Sequence, residues 1–242
     1  MRVKEKANKI EPLSDVFDRD GFVILRKFFD SSEVRHLECE IERYRAVRIP
    51  QGAPATYEDP SDSDSLKSMR LMERHDPFFR EFFAENERLK ELSRMLLHCR
   101  DVKLAFVQWF DKPPLIGSPT PAHQDNIFDP FDPPDALTFW VALDTVDEDN
   151  ACLRYVRGSH LGSLREHADS PYSGFSKVVS DYTGNDRANE VPMLLQPGDI
   201  AVHHFMTIHR TDPNRSDRHR RGIGFRVKST RAKALSERQC SP

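Results

Sequence analysis

A histidine and an aspartate stand two residues apart in the segment His123-Gln124-Asp125. Residues i and i+2 of an extended backbone project from the same face, so this imidazole and this carboxylate can point at one metal ion. With a second histidine from a distant strand they would form the two-histidine, one-carboxylate set of non-haem Fe(II) oxygenases. The HxD spacing also occurs in ordinary turns near strands, so the interpretation depends on finding the second histidine.

Three candidates for that histidine lie in the segment 203–209, with the sequence HHFMTIH: His203, His204 and His209. Their spacing alone does not choose among them. Adjacent residues on a strand face opposite ways, so at most one of His203 and His204 points inward. The residues after His209 favour it, because a polar turn leads to Arg220 at the start of the next β-like run. An arginine there could hold a dicarboxylate through two parallel hydrogen bonds.

The elements that must position these residues change in character near residue 101. The first 100 residues predict a layer of helices with one short strand. Val34, Leu37, Ile41 and Tyr44 recur at helical spacing, and 76–98 is a further helical stretch. The Pro-, Ser- and Asp-rich segment 50–68 predicts a mobile loop. After residue 101, short β-like runs separated by Pro, Gly and Asp predict a sandwich or barrel. These runs are 102–110, 137–143, 152–156, 191–195, 200–206 and 222–228. We therefore predict helices packed on a β-sandwich.

Composition excludes several classes of protein. The net charge of −3 lacks the basic excess of a general nucleic-acid binder, and the basic segment 210–238 is explained by a solvated strand face and tail. No apolar run approaches the roughly 20 residues that a spanning helix needs, and the first residues lack a secretory signal. Four widely spaced cysteines without a CxxC pair predict reduced thiols and a cytoplasmic protein.

Taken together and in this order, several segments resemble the phytanoyl-CoA dioxygenase-type family of Fe(II)/2-oxoglutarate oxygenases. They are FDRDGFVILRKFFDSSEV at 17–34, HQD at 123–125, LTFWVALDTVDEDNACLRYVRGSH at 137–160, QPGDIAVHH at 196–204 and HRTDPNRSDRHRR at 209–221. The resemblance implies a mainly β fold with flanking helices, built on a double-stranded β-helix (jelly-roll, cupin-like) core. It places one domain over 1–242, with a mainly helical layer at 1–100, the jelly roll at 101–229 and a flexible tail at 230–242.

The resemblance also implies the roles of six residues. His123, Asp125 and His209 match the iron ligands, and Arg220 matches the arginine that binds the distal carboxylate of 2-oxoglutarate. Thr211 stands where the family usually has a serine that shares this carboxylate. Lys112 stands where relatives place a polar residue near the other end of the cosubstrate. The family commonly has HGS at the distal ligand, and this chain has His209-Arg210-Thr211 instead.

The implied reaction uses O₂ and converts 2-oxoglutarate to succinate and CO₂ while a small-molecule substrate is oxidised. Because Asp125 is present, and halogenating relatives replace this carboxylate with a small residue, hydroxylation of an unactivated C–H bond is expected. We expect substrate contacts from Gln108, Asn126, Phe128 and Trp140. A non-catalytic jelly roll that binds a small ligand or metal remains the alternative. The sequence does not specify the substrate or the oligomeric state.

Overall fold

The computed structural model describes residues 11–172 and 176–235. Within these ranges the chain forms six α-helices and fifteen strands. The helices are α1 (Leu13–Asp20), α2 (Ser31–Arg48), α3 (Met72–His75), α4 (Pro77–Glu85), α5 (Glu87–Leu96) and α6 (Gly184–Ala188). The strands are β1 (Phe22–Leu25), β2 (Ala55–Tyr57), β3 (Leu66–Arg70), β4 (Val102–Phe110), β5 (Thr120–His123), β6 (Phe131–Asp132), β7 (Ala136–Ala142), β8 (Leu153–Val156), β9 (His167–Asp169), β10 (Lys177–Val179), β11 (Glu190–Pro192), β12 (Ile200–His204), β13 (His209–Thr211), β14 (Gly222–Ser229) and β15 (Lys233–Ala234).

Two antiparallel sheets form the core. The major sheet has seven strands in the order β1-β12-β7-β14-β4-β3-β2, and the minor sheet has four in the order β11-β8-β13-β5. One buried apolar cluster joins residues of both sheets, so the two sheets pack face to face. The remaining strands pair as two short ribbons, β9 with β10 and β6 with β15. The non-sequential strand order follows from chain crossovers between the sheets, as in a jelly roll.

The central strand β7 is buried along its whole length because both of its faces are covered. Leu137, Phe139 and Val141 belong to the apolar cluster that the helices share. Thr138 and Trp140 alternate with them and face the minor sheet. The alternation therefore sends one set of side chains to the helical layer and the other to the space between the sheets.

The helical layer forms as its sequence predicts. Asp30 caps α2 in a capping box with Glu33, each side chain accepting a backbone N–H of the other residue. The apolar residues that recur at helical spacing along α2 are all buried: Val34, Leu37, Ile41 and Tyr44. The predicted helical stretch over 76–98 is two helices, α4 and α5, because Asn86 caps the second one.

The prediction of a mobile loop over 50–68 is wrong. This stretch contains β2 and the start of β3, which extend the major sheet beyond β4. Leu66 and Met69 of β3 are buried in the core under the helices, and this burial stabilises the strand. Most of the Pro, Ser and Asp residues lie in the connection between the two strands, at 59–65, and their composition led to the wrong prediction for the whole segment.

The flexible tail predicted at 230–242 includes an ordered strand, β15, near its start. Lys233 and Ala234 pair with β6, and residues 236–242 lie outside the described residues. Cys39, Cys99 and Cys152 carry free thiols, whereas Cys240 lies outside the described part. Among the described residues, we find no helix with the length and apolar character needed to cross a membrane.

Candidate metal centre

His123 and His209 are brought together by strand pairing in the minor sheet. His209 of β13 lies directly opposite His123 of β5, which places their ring centroids 4.2 Å apart. Sequence separation is irrelevant to this contact, because the register of β5 and β13 sets it. Both side chains are buried between the sheets.

Hydrogen bonds orient both imidazoles in the same way. Nδ1 of His123 lies 2.8 Å from the backbone carbonyl oxygen of Pro121, and Nδ1 of His209 lies 2.9 Å from that of Thr207. A carbonyl oxygen only accepts, so Nδ1 is the protonated nitrogen and donates in each case. Each Nε2 therefore keeps its lone pair and faces the centre, as a metal-binding histidine requires.

Burial also keeps these rings neutral. It lowers the pKa of His123 to about 4, although the carboxylate of Asp125 opposes this shift. The pKa of His209 is lowered well below its usual range by burial and by the two neighbouring histidines. Neutral imidazole is the form that binds a metal ion, so both rings are ready to act as ligands.

Asp125 completes a set of three ligand atoms that lie within 4.8 Å of one another. It begins a short 3₁₀ turn directly after β5, with extended backbone at Gln124. The side chain of Gln124 points away from the centre and donates to the backbone carbonyl of Met206. The predicted HxD geometry is thus realised at the end of a strand. Oδ1 of Asp125 lies 3.7 Å from Nε2 of His123 and 3.8 Å from Nε2 of His209.

A row of side chains from the major sheet holds the Asp125 carboxylate from the opposite side. Arg226 of β14 pairs with Thr138 of β7, and Thr138 pairs with His203 of β12, so all three lie side by side. Thr138 Oγ1 donates to Oδ2 at 2.8 Å, and an Arg226 nitrogen donates to Oδ1 at 3.1 Å. Burial opposes ionisation of Asp125, yet Arg226 and the histidines hold its pKa well below the usual range.

His203 points inward but is not oriented as a ligand. Its Nε2 lies 3.2 Å from Oδ2 of Asp125, which only accepts, so Nε2 carries the proton. Its Nδ1 then accepts from the hydroxyl of Tyr155 at 2.9 Å. His204 lies on the other face of β12, where its ring contacts Phe17. This arrangement favours His209 over both competitors, and the deciding factor is which nitrogen bears the proton.

Arg220 reaches the same cavity from the chain before β14. It is 4% exposed, its guanidinium carbon lies 5.2 Å from the ring centroid of Trp140, and burial lowers its pKa to about 10. Within the described residues its Nε has no hydrogen-bond partner. Thr211 also lines the cavity, and its hydroxyl accepts from the backbone N–H of Thr120 at 3.1 Å. A buried guanidinium with unused donors fits a carboxylate ligand.

Lys112, expected near the cosubstrate, lies beside Arg220. The backbone groups of the two residues exchange hydrogen bonds of 3.1 and 3.2 Å. The Lys112 ammonium group donates to the carbonyl of Ser118, and burial together with Arg220 holds its pKa well below the usual range. Lys112 lines a small chamber next to Arg220 and not the cavity that holds the three ligands.

Three of the four expected substrate contacts line that cavity: Gln108, Phe128 and Trp140. Asn126 does not line it. Its amide oxygen accepts from the backbone N–H of Phe131 at 3.0 Å, so it closes the loop after β5. Trp140 is held by a close approach to the backbone, because a Cβ at Gly222 would lie 2.1 Å from its ring.

The sequence reasoning missed Arg226, which contacts a ligand carboxylate. A signal for it was present, because Gly222, Gly224 and Arg226 alternate on one face of the predicted strand 222–228. The same face contributes Gly224 and Arg226 to the cavity. Two neutral imidazoles, one carboxylate and an open side toward the cavity fit a divalent iron ion with free coordination positions. The buried Arg220 fits the second carboxylate of a bidentate cosubstrate.

The chain matches the family model of phytanoyl-CoA dioxygenase (PhyH) over residues 17–222. It is 25% identical to the peroxisomal phytanoyl-CoA dioxygenase of Mus musculus over 231 residues, which cover 86% of this chain and 64% of that protein. The chain therefore spans less than two thirds of this relative's length. It is 26% identical over 208 residues to a probable alpha-ketoglutarate-dependent hypophosphite dioxygenase of Stutzerimonas stutzeri, covering 83% of this chain and 72% of that protein.

A solved structure supports the fold. The non-heme alpha ketoglutarate dependent carbocyclase SnoK from nogalamycin biosynthesis superposes with a TM-score of 0.75 at 20% identity, covering 94% of this chain and 87% of that one. Together with the two antiparallel sheets, this likeness confirms the predicted jelly-roll class. The family match includes His123, Asp125, His209 and Arg220, and it spans most of the sequence. The chain belongs to the phytanoyl-CoA dioxygenase family.

Proposed function

We propose that this protein is a non-haem Fe(II)/2-oxoglutarate-dependent dioxygenase that hydroxylates an unactivated C–H bond of a small molecule. One oxygen atom of O₂ would enter the product and the other would enter succinate, with CO₂ released from 2-oxoglutarate. The observation that carries the proposal is one cavity that holds His123, Asp125 and His209 together with the buried guanidinium of Arg220, whose Nε has no hydrogen-bond partner among the described residues. A protein that only bound a metal would not need this arginine.

Each residue has a defined task in this proposal. His123 Nε2, His209 Nε2 and Asp125 Oδ1 would hold Fe(II), which supplies the activation of O₂ that is coupled to decarboxylation of 2-oxoglutarate. Arg220 would bind the distal carboxylate of 2-oxoglutarate through its planar guanidinium, with Thr211 beside it. Phe128 and Trp140 line the cavity and exclude water from the reacting C–H bond.

Hydroxylation is favoured because the carboxylate ligand Asp125 is present and is held firmly. A small residue in its place would free a coordination position for another anion. Thr138 and Arg226 each donate to it, which fixes its orientation toward the two imidazoles. The small-molecule substrate, the absence of a nucleic-acid partner and a cytoplasmic location are predictions from composition and from the enclosed cavity.

Anaerobic titration of 2-oxoglutarate into the Fe(II)-loaded protein tests the proposal. Binding of the cosubstrate to the metal should produce a weak visible charge-transfer band. Arg220→Lys keeps the charge but loses the two-pronged geometry, so the 2-oxoglutarate concentration at half-maximal band intensity should rise several-fold. Arg220→Ala should raise it on the order of 100-fold or more, since the cosubstrate carboxylate would be left buried and unpaired.

Arg221 provides the matched control, because its side chain forms an ion pair with Asp144 at 2.6 Å and does not line the cavity. Arg221→Ala should leave the titration close to that of the unaltered protein. The non-catalytic jelly roll predicts no band and no succinate in any variant. Equal weakening by Arg220→Ala and Arg221→Ala would remove the cosubstrate role assigned to Arg220.

A further inference from the structure

The cavity wall beyond the metal ligands carries a second row of side chains across the major sheet. Arg70 of β3 pairs with Gln108 of β4, and Gln108 pairs with Gly224 of β14, which in turn pairs with Trp140. All four residues line the cavity that contains the three ligand residues. This row lies next to the row that holds Asp125, since Gly224 and Arg226 are two residues apart on one strand face.

Glycine at position 224 leaves space between Gln108 and Trp140. A Cβ built there would come within 3.3 Å of the Phe110 ring, tighter than an ordinary contact. The side chains of Phe106 and Phe110 flank this space along β4, and both line the cavity. The result is an open, largely aromatic floor that can accept the apolar body of a ligand.

Arg70 and Gln108 bring hydrogen-bond donors to this floor, and neither is used within the described ranges 11–172 and 176–235. The guanidinium carbon of Arg70 lies 5.9 Å from the centroid of the Phe106 ring. Gln108 makes no side-chain hydrogen bond to the described residues. By contrast, the guanidinium carbon of Arg226 lies 5.0 Å from the centroid of the same ring, but this arginine donates to Asp125 and Asp129.

The charges of the residues that line the cavity also favour an anionic ligand. Three arginines line it, and Asp125 is the only acidic residue among the lining residues that the structure describes. Arg226 is neutralised by two carboxylates, and Arg220 is assigned to the cosubstrate. Arg70 is solvent-exposed and has no ion-pair partner among the described residues, so it is a cation at the edge of the aromatic floor that would attract and orient an anionic group.

We propose that Arg70 and Gln108 form an anion-binding subsite for the substrate that is oxidised. The substrate class is a small amphipathic anion, with an apolar body on the aromatic floor and a carboxylate or phosphoryl group at Arg70. A guanidinium matches the geometry of either group, and the Gln108 amide N–H supplies a further donor. This inference rests on the proposed oxygenase function, because it concerns the substrate of that reaction.

The test is a screen for 2-oxoglutarate-dependent succinate formation with matched sets of small molecules. Each set contains one apolar skeleton, aryl or alkyl, as the carboxylate, the phosphonate, the neutral amide and the amine. We expect turnover to be stimulated by members of the carboxylate or phosphonate arms, and the arm with the higher kcat/KM identifies the anion. Stimulation confined to amides or amines, or the absence of any anionic substrate from a broad set, would overturn the inference.

Variants then locate the subsite. For an anionic substrate, Arg70→Ala should raise KM about tenfold, Gln108→Leu should raise it about threefold, and Arg70→Lys should recover part of the loss. Arg74→Ala is the matched control, because Arg74 is an exposed arginine four residues away that does not line the cavity. Equal effects of Arg70→Ala and Arg74→Ala would show a general charge effect and would contradict the assignment.

The anaerobic charge-transfer band separates this inference from the proposed function. If the band forms and succinate is produced only with uncharged compounds, the oxygenase function stands and the anion subsite does not. If the band never forms, the proposed function itself fails. The KM for 2-oxoglutarate provides a further check, because a tenfold rise in Arg70→Ala would assign Arg70 to the cosubstrate instead.

Discussion

Two aspartates of this protein are equally buried and play opposite parts. Asp76 lies in the helical layer and Asp125 lies between the sheets, and each is 2% exposed. Both are contacted by arginine. Arg43 donates to the two oxygens of Asp76 at 2.8 and 2.9 Å, and Arg48 adds a third bond at 2.9 Å. The carboxylate of Asp76 is thereby fully used in joining α2 to α4.

Asp125 has as many hydrogen-bond partners, but one of its oxygens also faces the two histidine rings. Thr138 and His203 contact its Oδ2, and Arg226 contacts its Oδ1. The same Oδ1 faces Nε2 of His123 and of His209 at distances too long for hydrogen bonds. Burial and charge partners therefore do not distinguish a functional carboxylate from a structural one. The distinction is that Oδ1 of Asp125 faces two imidazole nitrogens that carry no proton.

The largest expected effect concerns the histidines around Asp125. His209→Ala removes a ligand, so Fe(II) affinity should fall by more than the roughly 100-fold typical of losing an outer partner. His203→Ala should retain more iron, because its Nε2 carries a proton toward Asp125. Iron per protein after dialysis, with Mn(II) titration as a second measure, gives the comparison. If His203→Ala empties the site and His209→Ala does not, the ligand assignment is wrong.

A smaller effect is expected from the hydroxyl that fixes Asp125. Thr138→Val keeps the shape of the side chain and removes the 2.8 Å hydrogen bond, so metal affinity should fall roughly 10- to 100-fold. Thr138→Ser should restore most of it. Thr145→Val removes an exposed hydroxyl that donates to Gln196, and it should leave the affinity unchanged. Identical Mn(II) titrations for Thr138→Val and Thr145→Val would contradict the positioning role.

Asp76→Asn should act on stability and not on iron content. Loss of the charge leaves Arg43 and Arg48 without their partner, and we expect the free energy of unfolding at neutral pH to fall by about 2 kcal/mol. Chemical denaturation measures this change, and metal analysis should show unaltered iron stoichiometry. A loss of iron in the folded variant would mean that the two aspartates are not independent.

The difference in the free energy of unfolding between Asp76→Asn and the unaltered protein should depend on pH, because the pKa of Asp76 is shifted. Hydrogen bonds from Arg43 lower that pKa from 3.8 to about 2, against the opposing effect of burial. A carboxylate with a lowered folded-state pKa stabilises the protein above its unfolded-state pKa. The stabilisation should therefore be complete above pH 4 and should disappear as the pH falls toward 2. The variant and the unaltered protein should converge over that range.

The smallest effect isolates the helix-capping part of this role. Asp76 also accepts the backbone N–H of Phe78 and so caps α4, whereas the neutral Asn86 caps α5 by accepting from Leu89. Asn86→Ala should lower the free energy of unfolding by about 1 kcal/mol, with no dependence on pH between 2 and 4. Urea denaturation at both ends of that range checks the expectation.

Local patterns in the sequence were sufficient for several elements. The short β-like runs at 137–143 and 222–228 predicted strands that are observed, and the helical spacing of Val34, Leu37 and Ile41 predicted the buried face of α2. These patterns work because side-chain periodicity reflects the two faces of a strand or helix. The spacing of the HxD segment likewise predicted that the His123 and Asp125 side chains point to one centre, because both residues lie at the same end of β5.

The segment 50–68 shows where local patterns fail. Leu66 and Met69 are apolar residues in a polar context, and their strand forms only because β4 offers a free edge and the helices cover it. Arg70 at the end of this strand faces the cavity for the same reason. Neither fact can be obtained from residues 50–70 considered alone, because a strand at a sheet edge depends on its neighbour.

The sequence by itself determined the donor types of the centre and their order along the chain: HQD, then a histidine, then an arginine. Three histidines were compatible with that order. The tertiary structure favours His209 among them, because cross-strand register places it opposite His123 and places His203 beside Thr138. It also placed the His203 ring against the carboxylate of Asp125, which lies far away in the sequence and accepts the proton of Nε2. Register and hydrogen-bond partners are non-local, and for that reason the spacing of the residues could not supply them.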